Sequence, residues 1–444
     1  MKLTGVFRRV EACADPPHHE KDRDGPVDQD RNRNGWKAVG DRDRKIVVAG
    51  TGPAGLIAAL MLAHHGHAVT LAGPLPQGRD RRTVALMRPS LDTIAPLGVL
   101  DTLTPETAPL RAMRLVDATG RLVRSPTVTF HAGEIGEDYF GLNIPNARLT
   151  EELAKVAESS PLIEWHESLV ETWACESDHV TATLENGVEI TAKLAVAADG
   201  RNSPAREAAG ISAKTRALPQ AALVLNFSHA RDHGFVSTEL HTQSGPCTQV
   251  PLPGMRSSLV WVLHPEDAER MNSLGDEELS LRIEEQFSSM LGRVTVEPGR
   301  QIYPLSTLMP SRFGQNRVAL VGEAAHVFPP ISAQGLNLGI RDVEDLVSVA
   351  NAFPDDPGTT VAMSRYHAAR RPDVLARSNS VNLLNASLLS GFLPAQVARS
   401  AGLSIIGSIP PLRALFMREG MRPGSGFSAL LPFKGKGPAA ESRS

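Results

Sequence analysis

Six residues, Gly50-Thr51-Gly52-Pro53-Ala54-Gly55, have the types and spacing to hold a pyrophosphate. The first glycine allows a tight turn. The second lets the backbone approach phosphate oxygens, and the third lets a following helix pack closely on its strand. The start of that helix offers unpaired N–H groups and the positive end of its dipole. Such a turn carries weight only between a strand and a helix. Here Ile46-Val47-Val48-Ala49 precedes it, a helical run from Ala54 to His65 follows and stops at Gly66, and Ala68-Val69-Thr70-Leu71 supplies a second strand. This βαβ opening predicts dinucleotide binding rather than a structural glycine turn. One part of the pattern is missing. The end of the second strand usually carries an acid that accepts from a ribose hydroxyl, but Gly73 stands there and the next acid is Asp80. A second match, Gly435 to Ala440, is followed by too few residues to build the required helix.

The elements that position this turn come from a chain of ordinary composition. Its 444 residues are 41% apolar and 21% charged, with a net charge of -3. That balance gives no reason to expect nucleic acid as a partner. Cys13, Cys175 and Cys247 are scattered, which argues against a disulfide framework or a zinc site and fits a reducing compartment. No metal site is expected. No apolar stretch reaches the ~18 residues of a membrane span, and the N-terminus lacks the apolar core of a secretory signal. Residues 1–44 are charged and read as a disordered arm. Folded structure is expected from Lys45. A helix is predicted from about Ala147 to Ala157, strands from Leu162 to Ala198 and from Ala221 to Leu263, then a strand Val318–Val321 and a helix from about Gln334. Residues 45–372 are read as a cofactor domain interleaved with substrate-domain strands, mainly 210–305. Residues 373–444 are read as C-terminal helices and a flexible tail.

Distant segments choose among the dinucleotides. Ala197-Ala198-Asp199-Gly200-Arg201-Asn202-Ser203-Pro204-Ala205-Arg206 resembles the DG motif of flavin hydroxylases. Gly322-Glu323-Ala324-Ala325-His326, continued from Pro330 to Asp342, resembles their GD motif. Asp80 to Leu86 is similar to a segment whose arginine, here Arg82, lies beside FAD in that class. Asn146 stands where ubiquinone-biosynthesis hydroxylases have an asparagine before a helix. Gly245-Pro246, Pro251-Leu252-Pro253 and Ser258 to Trp261 look like their substrate-domain strands. Over about Lys45 to Arg422 the chain resembles the ubiquinone-biosynthesis FAD-dependent hydroxylases, within the para-hydroxybenzoate hydroxylase class.

The resemblance implies an α/β fold: a Rossmann-type FAD-binding domain with an inserted mixed-sheet substrate domain and a C-terminal helical segment. It implies FAD held by Gly50, Gly52, Pro53, Ala54, Gly55, Arg82, Asn146, Asp199, Gly200, Gly322, Glu323, Pro330, Gln334, Gly335, Leu336 and Asn337. The family has aspartate at the place of Glu323. Glutamate keeps the charge for the ribityl chain at one methylene longer reach, or it caps the loop. Ala333 and Gly335 are small enough for the backbone to approach the flavin ring. His326 reads as a satisfied loop histidine, and Asp342 as a helix-surface or salt-bridge residue.

The implied chemistry is a monooxygenase reaction. NAD(P)H reduces FAD, dioxygen forms a flavin C4a-hydroperoxide, and its terminal oxygen passes to an electron-rich aromatic ring. The implied substrate is a polyprenyl phenol or quinol of ubiquinone biosynthesis. No residue stands out as a general base; Tyr139, Tyr303 and Tyr366 fall in no family motif. A soluble aromatic hydroxylase, another FAD oxidoreductase, or a non-catalytic FAD-binding accessory protein would keep the same motifs. A polyprenyl substrate lies in a bilayer. The apolar residues Leu383, Leu384, Leu388, Leu389, Phe392 and Leu393, then 403–409 and 412–417, could make a peripheral membrane surface, a surface for a biosynthetic complex, or a cap on the core. The expected location is cytoplasmic, or peripheral on the inner face of a membrane.

Overall fold

A computed structural model describes residues 45–78, 80–120, 124–330, 334–389 and 409–421. The arm expected over 1–44 and the tail after 421 lie outside these residues, as do Ala333, Phe392 and Leu393.

The strand Ile46–Ala49 is wholly buried. It pairs in parallel with Val69–Ala72 on one side and Leu194–Ala197 on the other. These are the continuous apolar runs expected of a parallel sheet covered on both faces. Ile163–His166 and Val318–Leu320 extend the sheet in parallel, and the short Gly314–Gln315 closes one edge antiparallel, giving six strands. The helix Pro53–His64 is buried from Gly55 to Ala63. It lies between two other helices, Asn146–Ser159 and Gln334–Ala352, so it is apolar all round rather than striped.

A second, eight-stranded sheet is built on Ala213–His229. Arg256–Leu263 and Gln301–Pro310 both pair with this long strand, the latter across a bulge between Ala217 and Ala221. Alternation at period two gives the sheet two different faces. Leu223, Leu225 and Phe227 point into a core with Leu279 and Ile283 from the helix Asp276–Gln286. Ala222 and Val224 point the other way, beside Val260 and Tyr303. Two strands from far upstream join the same sheet: Ala112–Asp117 pairs in parallel with Val236–His241, and Val128–His131 lies beyond it. The substrate-part strands were expected mainly over 210–305. A parallel pairing across so much chain leaves no local pattern to read.

The helix Thr360–Leu389 continues through Pro372, so the boundary drawn at 372/373 falls inside one helix. A proline there removes one helical hydrogen bond. Anchors just before the proline hold the segment: Tyr366 donates to the Leu320 carbonyl at 2.7 Å, and Arg370 donates to Asp342 and Asp345 at 2.7 and 2.9 Å. The helix Pro410–Met421 buries Met417 against Ala85, Met87 and Phe130. Its Arg413 binds both carboxylate oxygens of Glu134.

Candidate functional site

The three glycines of the first turn do different work. Gly50 has φ +108°, and a Cβ there would lie 2.2 Å from the Ala198 carbonyl oxygen. A Cβ on Gly55 would lie 2.0 Å from the Gly50 oxygen. Both are demanded by the protein's own packing. Gly52, at the helix N-cap, would meet nothing within 4 Å. Its bare backbone, with Pro53, Ala54 and Gly55, faces an open cleft of about 500 Å³. The first-turn N–H groups have no acceptor within the helix, and Pro53 at its start forfeits none that matters.

Gly73 explains the missing acid. Its φ is +151°, and a Cβ would sit 2.8 Å from the Thr51 side chain. Thr51 donates to the Pro74 carbonyl at 2.6 Å, and the Trp165 indole donates to the Gly73 carbonyl at 2.8 Å. A threonine and a tryptophan therefore close the strand end where an acid would clash.

The second motif follows the strand Leu194–Ala197. Gly200 turns with φ +87° into the cleft, with open space at its Cβ position. Asp199 is half-buried just behind. One carboxylate oxygen accepts from the Ala205 N–H at 3.3 Å and the other has no partner. Burial raises its pKa. Buried Arg206 donates to the Ala324 carbonyl at 3.0 Å and the Arg201 carbonyl at 2.9 Å. It thereby clamps this loop to the Glu323 loop, a role with no sequence signal beyond its place in the motif.

Gly322 has φ +62°, and its Cβ position lies 2.9 Å from the Ala54 Cβ. The loop can therefore rest on the first turn of the opening helix. Beneath it Asp342, fully buried, accepts from the Gly322 N–H at 3.0 Å, His326 Nε2 at 2.8 Å and Arg370 Nε at 2.7 Å. Burial alone would raise the Asp342 pKa, but His326 and Arg370 hold it below the usual carboxylate range. His326 is thus a satisfied loop histidine and Asp342 a buried salt-bridge partner. Glu323 stays half-exposed in the cleft, 3.4 Å from Arg201.

Arg82 and Asn146 reach the cleft from a different direction, joined by Asp80. Arg82 donates to both Asp80 oxygens at 2.9 and 2.7 Å, Asn146 donates to Asp80 as well, and the guanidinium lies 5.2 Å from the Tyr303 ring centre. Burial opposes the Asp80 charge, yet Arg82 and Asn146 keep its pKa low.

The cleft thus gathers Gly52, Pro53, Ala54, Gly55, Arg82, Asn146, Gly200, Gly322, Glu323, Pro330, Gly335 and Leu336. Gly50, Asp199 and Asn337 do not line it, and the Gln334 side chain lies outside the described residues. Asn337 is turned away because the strand Thr83–Met87 uses its amide. It accepts from the Met87 N–H at 2.8 Å and donates to the Ala85 carbonyl at 2.8 Å. Bare backbone at Gly52, Gly200 and Gly335, none of it needed for the protein's own packing, fits a ligand with phosphates at one end and a flat ring at the other. Beneath the cleft, sharing Thr83, Ala85, Val260 and Pro330 with it, lies a smaller pocket of about 130 Å³. Among the described residues no cluster could hold a metal ion, and no helix is long and apolar enough to cross a membrane.

The family model described as an FAD binding domain matches residues 43–377. The ubiquinone hydroxylase UbiL of Rhodospirillum rubrum is 31% identical, over 86% of this chain and 90% of its own length. The 3-demethoxyubiquinol 3-hydroxylase of Escherichia coli is 29% identical, over 81% of this chain and 93% of its own. Among solved structures, the p-nitrophenol 4-monooxygenase PnpA from Pseudomonas putida is similar in fold. Its TM-score is 0.68 at 20% identity, covering 85% of this chain and 96% of that one.

Proposed function

Since the chain belongs to the FAD binding domain family, we propose that it is an FAD-dependent monooxygenase that hydroxylates a polyprenyl phenol or quinol ring in ubiquinone biosynthesis. The observation that carries this reading is convergence. Segments far apart in the chain line one cleft, and a mainly apolar pocket opens from it. The names of the similar hydroxylases supply the substrate class.

In this reading the six-stranded sheet carries the cofactor and the eight-stranded sheet the substrate. The N–H groups after Gly52 would hold the pyrophosphate, and Glu323 would accept from the ribityl chain. Arg82, fixed by Asp80, would stand beside the flavin, and Gly335 would let the helix start approach the ring. When bound, FAD would supply the two-electron redox chemistry that couples NAD(P)H to the activation of dioxygen. The balance is one ring C–H, dioxygen, NAD(P)H and a proton giving ring C–OH, NAD(P)⁺ and water. The wall formed by Ala222, Val224 and Val260 excludes water from the ring's neighbourhood. The exposed Ile409, just before the helix Pro410–Met421, and Phe416 within it would touch a bilayer or a biosynthetic partner.

The test is the purified protein with a short-chain prenylphenol and NAD(P)H. The expected result is a yellow protein with releasable FAD and a product heavier by one oxygen. A flavin-free protein that takes up no FAD would end the reading.

A further inference from the structure

The pocket beneath the cleft has a wall of Met113, Leu115, Val250 and Val260, and into it the strand Val236–His241 sets an acid. Glu239 is only 6% exposed. His241, two residues along the strand and so on the same face, is also buried and donates through Nε2 to Glu239 at 2.8 Å. The other carboxylate oxygen has only the Thr248 hydroxyl, at 3.5 Å. Arg114 of the neighbouring strand also borders the pocket, but it turns its guanidinium toward Met290 Sδ, at 3.0 Å, beside the core on the opposite face. The hydroxyls of the wall are already engaged, Thr83 with Ser258 at 2.9 Å and Ser237 with the Gln249 carbonyl at 3.2 Å. Asn143, also in this wall and 1% exposed, donates to the Pro251 carbonyl at 2.8 Å, and its amide oxygen has no donor. The open capacity of the pocket is therefore acceptor capacity. A buried carboxylate with one oxygen so thinly partnered is costly.

We propose that Glu239 accepts the hydrogen bond, and then the proton, of the substrate's ring hydroxyl, with His241 as the positioning residue for its carboxylate. A ring that loses its hydroxyl proton becomes richer in electrons at the carbon to be oxygenated. The O–H bond breaks as that carbon bonds to the electrophilic oxygen, and the proton rests on Glu239. The O–O bond that carried this oxygen breaks in the same step. When aromaticity returns, the ring C–H proton leaves with the other oxygen as water while Glu239 gives its proton back to the same ring oxygen. The dyad ends each turnover as it began. The proton step rests on the hydroxylase reading; recognition of a hydroxyl donor does not.

The full-length protein with FAD bound and no NAD(P)H separates the two. The probes are 2-naphthol and 2-methoxynaphthalene, in which a methyl group replaces the donor hydrogen; the ratio is read as the change between wild type and variant. The wild type is expected to prefer the naphthol about ten- to a hundred-fold, the range of a hydrogen bond to a charged group. Glu239→Gln, with FAD content unchanged, should lower that preference at least about five-fold, since a neutral acceptor is weaker. With NAD(P)H and a short-chain prenylphenol, Glu239→Gln should hydroxylate about a hundred-fold more slowly, the low end for general-base loss. NAD(P)H oxidation should continue and release hydrogen peroxide instead of product. His241→Asn should lower kcat with KM little changed. A wild type with no preference, or a Glu239→Gln protein with the wild-type preference, overturns the proposal. So does loss of FAD from Glu239→Gln. If Glu239→Gln does not fold, Glu239→Asp, which withdraws the charge by one methylene, is read on the same ratio, and an unchanged ratio overturns it. A wild type that prefers the naphthol but never hydroxylates the prenylphenol ends the hydroxylase reading and leaves Glu239 as the donor-recognising group.

Discussion

At the scale of single residues, the glycine turn separates protein packing from ligand space. Gly52→Val places its side chain where the protein offers nothing within 4 Å. The expected outcome is loss of FAD with an apoprotein melting temperature close to wild type. Gly55→Ala forces a Cβ onto the Gly50 carbonyl. It should destabilise the apoprotein by ~1–3 kcal/mol, the cost of overpacking. Thermal melts and flavin content of the two variants check both statements. Normal flavin occupancy in Gly52→Val would move the cofactor elsewhere. Glu323 makes a parallel case. Its contact with Arg201 is long and half-exposed, so it adds little stability. Glu323→Gln should leave melting unchanged and weaken FAD about ten- to a hundred-fold, the loss of a charge-assisted hydrogen bond. Equal FAD affinity in a titration of both proteins would leave Glu323 as a loop residue only.

At the scale of elements, Asp342 is the joint between two helices and a loop. It lies on the helix Gln334–Ala352, takes Arg370 from the helix Thr360–Leu389, and holds the N–H of Gly322. Removing its charge leaves a buried guanidinium without its main partner. Asp342→Asn should therefore cost ~3–5 kcal/mol, the usual effect of breaking a buried pair. The Glu323 loop hangs from the same joint, so FAD affinity should fall with stability. Arg370→Met should do the same in the melt. A melting temperature within error of wild type for both variants would show that the loop is held by Arg206 instead.

At the scale of the whole molecule, carboxylates whose pKa values folding lowers set the response to acid. Asp80, Asp342 and Asp356 are all held below their ordinary range. Burial opposes each charge, while Arg82, His326 with Arg370, and Arg317 outweigh it in turn. A depressed pKa means the folded state binds fewer protons. The stability these groups contribute is full above the unfolded carboxylate pKa of ~4 and is lost as pH falls through the lower folded values. Melting temperature should drop steeply on acidification through that window, and Asp342→Asn should show a shallower slope from a lower start. Asp199 runs the other way. Its pKa is raised by burial, so its contribution is lost as pH rises through the folded value. Asp199→Asn should flatten the melting profile between the unfolded carboxylate pKa of ~4 and that raised value.

The sequence alone determined what is local. A tight turn, a helix start and a buried parallel strand are written in neighbouring residues, so the βαβ opening, the DG and GD motifs, and the residues these motifs bring to the cleft are legible as types and spacings. Tertiary structure decided whatever depends on two segments meeting. Only the fold shows that Asn337 spends its amide on the strand Thr83–Met87 and that Thr51 occupies the space an acid at residue 73 would need. The same holds for the strand Ala112–Asp117, which pairs with Val236–His241 and so builds the wall that carries Glu239. Glu239 and His241 look in sequence like any alternating strand residues. Burial, the turning away of Arg114 and the long 3.5 Å contact at the second Glu239 oxygen make them a site, and those are properties of packing that no spacing encodes.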